Sequence, residues 1–134
     1  MTSQVIRNYY DAFNRRDYPA MLALLSPDVV HDVNQGAREV GKAKFEAFLA
    51  RMDQAYRERL EELMVMEDDS GTRCAAEFVV DGTYLQADPG FPPAHGQRYR
   101  LPAGAFFELS AGLITRVTTY YNLEDWLNQV RSAP

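Results

Sequence analysis

Between Arg59 and Tyr121 the chain is built of long segments rich in β-branched and aromatic residues, broken only by turn sequences, and this constrains the fold more than any other feature. The pattern predicts four strands, over 59–67, 72–84, 99–109 and 113–121, with "DDSG" turning the first pair and "SAG" the last. Strands joined by such short turns run antiparallel. The intervening segment "QADPGFPPAHGQ" holds too much Pro and Gly for regular structure and is expected to form a loop at the rim of the sheet.

Ahead of the strands the periodicity is helical. Val5, Ile6, Tyr9, Tyr10 and Phe13 recur at spacings of three and four and place one apolar stripe on a first helix. Asp17 is suited to cap a short second helix with Pro19 in its first turn; Met21, Leu22, Leu24 and Leu25 form its buried side, and Ser26-Pro27 ends it. Val29 to Val33 is short, apolar and β-branched, and reads as a strand, followed by the loop "NQGAREVG". A third helix follows Gly41, with Phe45, Phe48, Leu49, Met52 and Tyr56 along one face. Asn122 opens a closing helix, with Asp125 three residues on and Leu123, Trp126, Leu127 and Val130 on its apolar side. Helices gathered before strands predict an α+β fold, a curved antiparallel β-sheet with the N-terminal helices packed on one face. At 134 residues the chain is expected to be a single domain, 1–134.

Charge and composition narrow the function. The net charge is −5, with 14 basic residues scattered among 19 acidic ones, so nucleic acid is not an expected partner. No stretch approaches the roughly 20 apolar residues that span a bilayer, and no membrane partner is expected. A lone cysteine, Cys74, and an opening "MTSQVIRN" without a basic-then-apolar run predict a cytoplasmic protein. The two histidines, His31 and His95, stand far apart and outside any ligand-spaced cluster, so no metal is expected. The absence of G-x-S-x-G, G-x-x-x-x-G-K and G-x-G-x-x-G leaves no basis for a nucleophile elbow, and no nucleotide cofactor is expected.

The segment "VVHDVNQG" carries the chemistry most worth weighing. On a strand Val30, Asp32 and Asn34 share one face, and Val29, His31 and Val33 the other, so His31 and Asp32 do not form a dyad. Asp32 has two placements. Facing the space between helices and sheet, its carboxyl is desolvated, titrates above the ordinary value of about 3.9, and serves as a general base. At the exposed end of the strand it serves only the following turn. Tyr9, on the buried stripe of the first helix, either packs with a satisfied hydroxyl or aims that hydroxyl at a developing oxyanion. Val117, Thr119 and Tyr121 share one strand face and, with Tyr84, suit the wall of an apolar pocket with a few polar anchors, although packing accounts for each singly.

The opening block "VIRNYYDAFNRRDYPAMLALLSPDVVHDV", followed by a helix and four strands ending "GLITRVTTYYN", resembles the cone-shaped α+β fold of nuclear transport factor 2, ketosteroid isomerase and the SnoaL-like polyketide cyclases, a fold also termed cystatin-like. The resemblance covers nearly the whole chain. It implies Asp32 as the carboxylate that moves a proton α to a carbonyl and Tyr9 as the phenol that hydrogen-bonds the dienolate oxygen. It also implies a homodimer paired through the sheet face that holds Arg116, Thr118 and Tyr120. Two features depart from the pattern: "LPAGAFFEL" offers Gly104, Ala105 or Phe106 where the isomerases place a protonated aspartic acid, and Thr119 stands near the acidic residue of the cyclases. The expected function is proton transfer on a hydrophobic carbonyl compound. The alternatives are a binding protein for a small apolar ligand and a dimeric interaction module.

Overall fold

A computed structural model describes residues 2–132. Its elements are α1 (Thr2–Asn14), α2 (Tyr18–Leu22), β1 (Leu25–Asp32), β2 (Arg38–Val40), α3 (Lys42–Ala55), β3 (Tyr56–Glu67), β4 (Arg73–Tyr84), β5 (Gln97–Ser110), β6 (Leu113–Tyr121) and α4 (Leu123–Ser132). The six strands form one sheet in the order β2-β1-β6-β5-β4-β3. Every neighbouring pair is antiparallel except β1 and β6, which run parallel. No helix among the described residues is long and apolar enough to cross a membrane.

The helices form where the periodicity places them. The stripe on α1 buries Ile6, Tyr9 and Tyr10, and α2 begins with the Asp17 carboxylate accepting from the Ala20 amide at 3.2 Å and Pro19 in the first turn, where a missing N–H costs nothing. Asn14 fastens the end of α1 to the sheet. Its side chain accepts from the Leu60 amide at 2.8 Å and donates to the Leu60 carbonyl at 3.0 Å, completing both backbone bonds of an edge-strand residue. Asn122 accepts from the Asp125 amide at the start of α4, whose Trp126 packs against Tyr56, Tyr84, Phe91 and Tyr99.

Three boundaries differ from the sequence reading. Tyr56, expected on the helical stripe, is the first residue of β3: its extended backbone (φ −133°, ψ 144°) carries the chain from α3 straight into pairing with Tyr84. Ser26-Pro27 does not end the second helix, which stops at Leu22 and leaves Leu24 and Leu25 outside it; Leu25 opens β1 and Pro27 lies within that strand, where a register irregularity between Leu25 and Val30 accommodates the residue without an N–H. The expected loop after β1 contains β2, three residues long and too short to show a period.

Alternation then sorts the sheet into two faces. Cys74, Ala76, Phe78 and Val80 of β4, and Leu101, Ala103, Ala105 and Phe107 of β5, are buried under the helices. A bulge in β3 between Glu61 and Met64, with Glu62 at φ 55°, bends that edge strand.

Candidate functional site

Helices and sheet do not close completely on each other. Between them lies a cavity of about 400 Å³, within the range of small-molecule sites. Tyr9, Tyr10 and Phe13 of α1, Phe45 and Phe48 of α3, and Phe78, Val80 and Leu101 of the sheet give it an apolar wall. Asp88, Pro89 and Phe91 of the Pro- and Gly-rich loop also line it.

Tyr9 and the β6 residues Val117, Thr119 and Tyr121 line this cavity. Burial pushes the Tyr9 phenol well above its ordinary range, which keeps it a neutral donor at any physiological pH. Tyr84 is not a lining residue. It is fully buried behind the stacked ring of Tyr56, and its hydroxyl donates to the Pro92 carbonyl at 2.7 Å and accepts from the Asp88 amide at 2.9 Å. Its work is to hold the rim loop.

Asp32 also departs from the expectation, and the reason is electrostatic. Its carboxylate lies away from the cavity, against Arg38 at 2.7 and 3.0 Å and Arg116 at 2.8 Å. Register sets this up, since Arg38 pairs with Asp32 across the β1–β2 ladder and Arg116 lies two residues before Asp32's partner on β6. The two hydrogen bonds from Arg38, then the one from Arg116, hold the carboxyl down to about 2. An anion so stabilised, outside the cavity, is a poor base for a buried ligand. The strand face is thus the reverse of the one required for catalysis by Asp32: Val29 and His31 are buried, and His31 lines the cavity. Alternation correctly separates the two side chains but cannot say which points inward when Val29 and Val30 are both apolar.

Three carboxyls line the cavity, Asp53, Glu58 and Asp88, and Glu58 is the one carried by the covered face of the sheet. Burial pushes it up, against a smaller downward pull from the Tyr99 hydroxyl, which donates to Glu58 Oε2 at 2.5 Å. Glu58, Gly82 and Tyr99 are directly opposed across β3, β4 and β5. A Cβ at position 82 would overlap the Tyr99 ring, so glycine lets the phenol lie across β4 and reach a strand beyond its neighbour. Burial also pushes the Tyr99, Tyr56 and Tyr121 phenols up, and Tyr56 donates to Asp88 at 2.8 Å. The cavity therefore joins one desolvated carboxyl to several neutral phenols.

Two sequence signals point to this pair. In "YRERL" a carboxylate occupies the middle of the alternating set Tyr56, Glu58, Leu60, and Gly82 interrupts an otherwise well-filled strand. Starting the strand at Arg59 rather than Tyr56 hides the first signal. Among the described residues no group of three or more His, Cys, Asp or Glu is placed to hold a metal ion.

Comparison with known proteins places this architecture. No match was found among curated proteins. A crystal structure from Pseudomonas putida KT2440, of a protein proposed to be a polyketide cyclase, is 55% identical, with 97% of this chain and 98% of that one covered and a TM-score of 0.95. A second protein with the same proposed activity, from Xanthomonas campestris pv. campestris, is 53% identical over 96% of each chain, with a TM-score of 0.93. An NTF2-like protein of unknown function from Burkholderia pseudomallei K96243 shares the fold at 20% identity, covering 98% of both chains with a TM-score of 0.77. The SnoaL-like domain matches residues 6–117. With the helices, curved six-stranded sheet and internal cavity in the same chain, the protein belongs to the SnoaL-like domain family and has the NTF2-like fold.

Proposed function

We propose that the cavity is the reaction site of a cyclase- or isomerase-type enzyme that moves a proton on a hydrophobic carbonyl compound, with Glu58 as the group that takes and returns the proton. The observation that carries this reading is a carboxyl lining an apolar cavity, one oxygen of which is held by a neutral phenol. Burial brings its proton affinity closer to neutral pH, where general bases work most efficiently. The hydrogen bond from Tyr99 fixes Oε2 and leaves Oε1 for the ligand. Tyr9 supplies a second neutral phenol, able to donate to an enolate oxygen as charge develops there. The relatives proposed to be polyketide cyclases support a cyclic or polyketide-like substrate.

The test is a panel of cyclic ketones and polyketide-like compounds, screened first by thermal shift, since a ligand of the native state raises its melting temperature, and then for turnover. Turnover by the wild type that falls about 10²- to 10⁴-fold in Glu58→Gln supports the proposal. Turnover unchanged by that substitution overturns the assignment of Glu58, and binding without turnover by either protein favours a ligand carrier.

Pairing of two copies through the outer sheet face is proposed on a separate observation. Phe106 and Tyr120 meet edge to face there while 47% and 52% exposed, and Met64 and Met66 are 61% and 53% exposed. Large exposed apolar groups of this kind mark interaction surfaces. Light scattering is expected to show a dimer that Phe106→Glu converts to a monomer; a monomeric wild type at high concentration rejects the pairing.

A further inference from the structure

Beyond Glu58, a second set of polar groups borders the cavity, and it includes buried atoms that have no hydrogen-bond partner among the described residues. His31 is 7% exposed, lines the cavity, and meets Phe45 and Phe48 edge to face. Its Nδ1 is buried without a hydrogen bond, 4.0 Å from Glu39 Oε1, which is likewise buried and unbonded. Asn34, which also lines the cavity, has a buried and unbonded Nδ2. Three strands stand between β1, which carries His31, and β3, which carries Glu58.

The arrangement determines which imidazole nitrogen carries the proton. A proton on Nδ1 faces the Glu39 carboxylate, whereas a proton on Nε2 would leave a lone pair directed at an anion. We propose that His31 and Asn34 form a second polar subsite of the cavity, in which Nε2 of a neutral His31 accepts a proton from a phenol, enol or 1,3-dicarbonyl group and Asn34 Nδ2 donates to an oxygen of that ligand. In a full transfer the O–H or C–H proton moves to Nε2 and its electron pair stays on the ligand as an enolate or phenolate, while Glu39 offsets the charge of the imidazolium. Burial favours the neutral ring; the charges facing it are Glu39 from β2 and Asp32 on its own strand, which oppose that effect, and Arg51 from α3, which adds to it. This subsite rests on the small-molecule reading of the cavity but not on the role of Glu58.

The experiment uses the full chain and 2-naphthol, an aromatic mimic of an enol. In the free wild type, long-range proton–nitrogen NMR is expected to show His31 protonated at Nδ1 and neutral at pH 7. Naphthol is expected to shift its resonances and to bind more weakly as pH falls through the His31 titration, because imidazolium offers no acceptor. His31→Gln should weaken binding by about tenfold and abolish that pH dependence, whereas Glu58→Gln should retain it. A His31 that is protonated at Nε2, or already imidazolium at pH 7, overturns the proposal in the wild type without any variant. Naphthol binding that leaves His31 unshifted, or keeps its pH dependence in His31→Gln, overturns it while sparing the cavity reading. No saturable naphthol binding to the wild type overturns both.

Discussion

Asp32 and Glu58 are carboxyl groups on strands of the same sheet, and the sheet treats them in opposite ways. Asp32 lies on the face away from the helices, bonded to Arg38 and Arg116, and its proton affinity falls. Glu58 lies on the covered face among aromatic rings, bonded to one neutral phenol, and its proton affinity rises. Charged donors stabilise a carboxylate without preparing it for chemistry; burial beside a neutral donor leaves it with a reason to take a proton. The neighbour of Asp32 in the chain, His31, shares the second environment although it is one residue away. On a pleated strand, a single step in sequence is the difference between an ion pair on the outer face and a group that lines the cavity.

The comparison breaks most sharply in kinetics. Glu58→Gln is expected to lower turnover by about 10²- to 10⁴-fold, the usual contribution of a positioned acid or base, while Asp32→Asn leaves turnover within about twofold, because no atom of that carboxyl lines the cavity. The reverse pattern, measured as kcat/KM on one substrate, would return the catalytic role to Asp32. A smaller effect comes from the support of the pair. Gly82→Ala places a methyl in the Tyr99 ring, and overpacking of this kind costs about 1–3 kcal/mol. Urea unfolding should show that loss, and Gly82→Ala combined with Tyr99→Leu should recover part of it, since the obstructing ring is then gone.

Much of the fold is legible in the sequence because each helix and long strand repeats its period several times. The apolar stripe of α1 and the hairpin of β5 and β6 need no tertiary information to be recognised. The site is less legible for reasons that differ residue by residue. Tyr9, Val117, Thr119 and Tyr121 reach the cavity because period alone assigns them to a covered face. Asp32 and His31 sit on a strand that the sequence reading begins at Val29, where each face holds one valine; the observed strand starts at Leu25 and buries Leu25, Val29 and His31, while Arg38 and Arg116, from other strands, bond Asp32 on the opposite face. Glu58 leaves a local signal in "YRERL", but its pairing with Tyr99 across Gly82 is a three-strand register that no local window contains. Asn14 and Asp17, conspicuous in the opening block, anchor β3 and cap α2 and do not line the cavity.

The two carboxyls should also tilt stability in opposite directions with pH, and this is the smallest effect of the comparison. Folding raises the proton affinity of Glu58, so the folded state holds that proton to a higher pH than the unfolded chain, whose glutamates titrate near 4.3. Its contribution is present below that value and is lost as pH rises through the folded one. Glu58→Gln cannot lose a proton, so its melting temperature should match the wild type near pH 4 and exceed it as pH rises through the folded-state value. For Asp32 the sign reverses: folding holds the carboxyl down to about 2, so its stabilisation is complete above the unfolded value near 3.9 and declines as pH falls through about 2. Asp32→Asn should therefore melt slightly below the wild type at pH 7, with the gap narrowing below about pH 4. The gap is small because Arg38 is 60% exposed and water screens its bond to the carboxylate. Thermal melts of the three proteins from pH 3 to pH 8 read both slopes, and parallel curves for the two variants would erase the distinction between the two faces of the sheet.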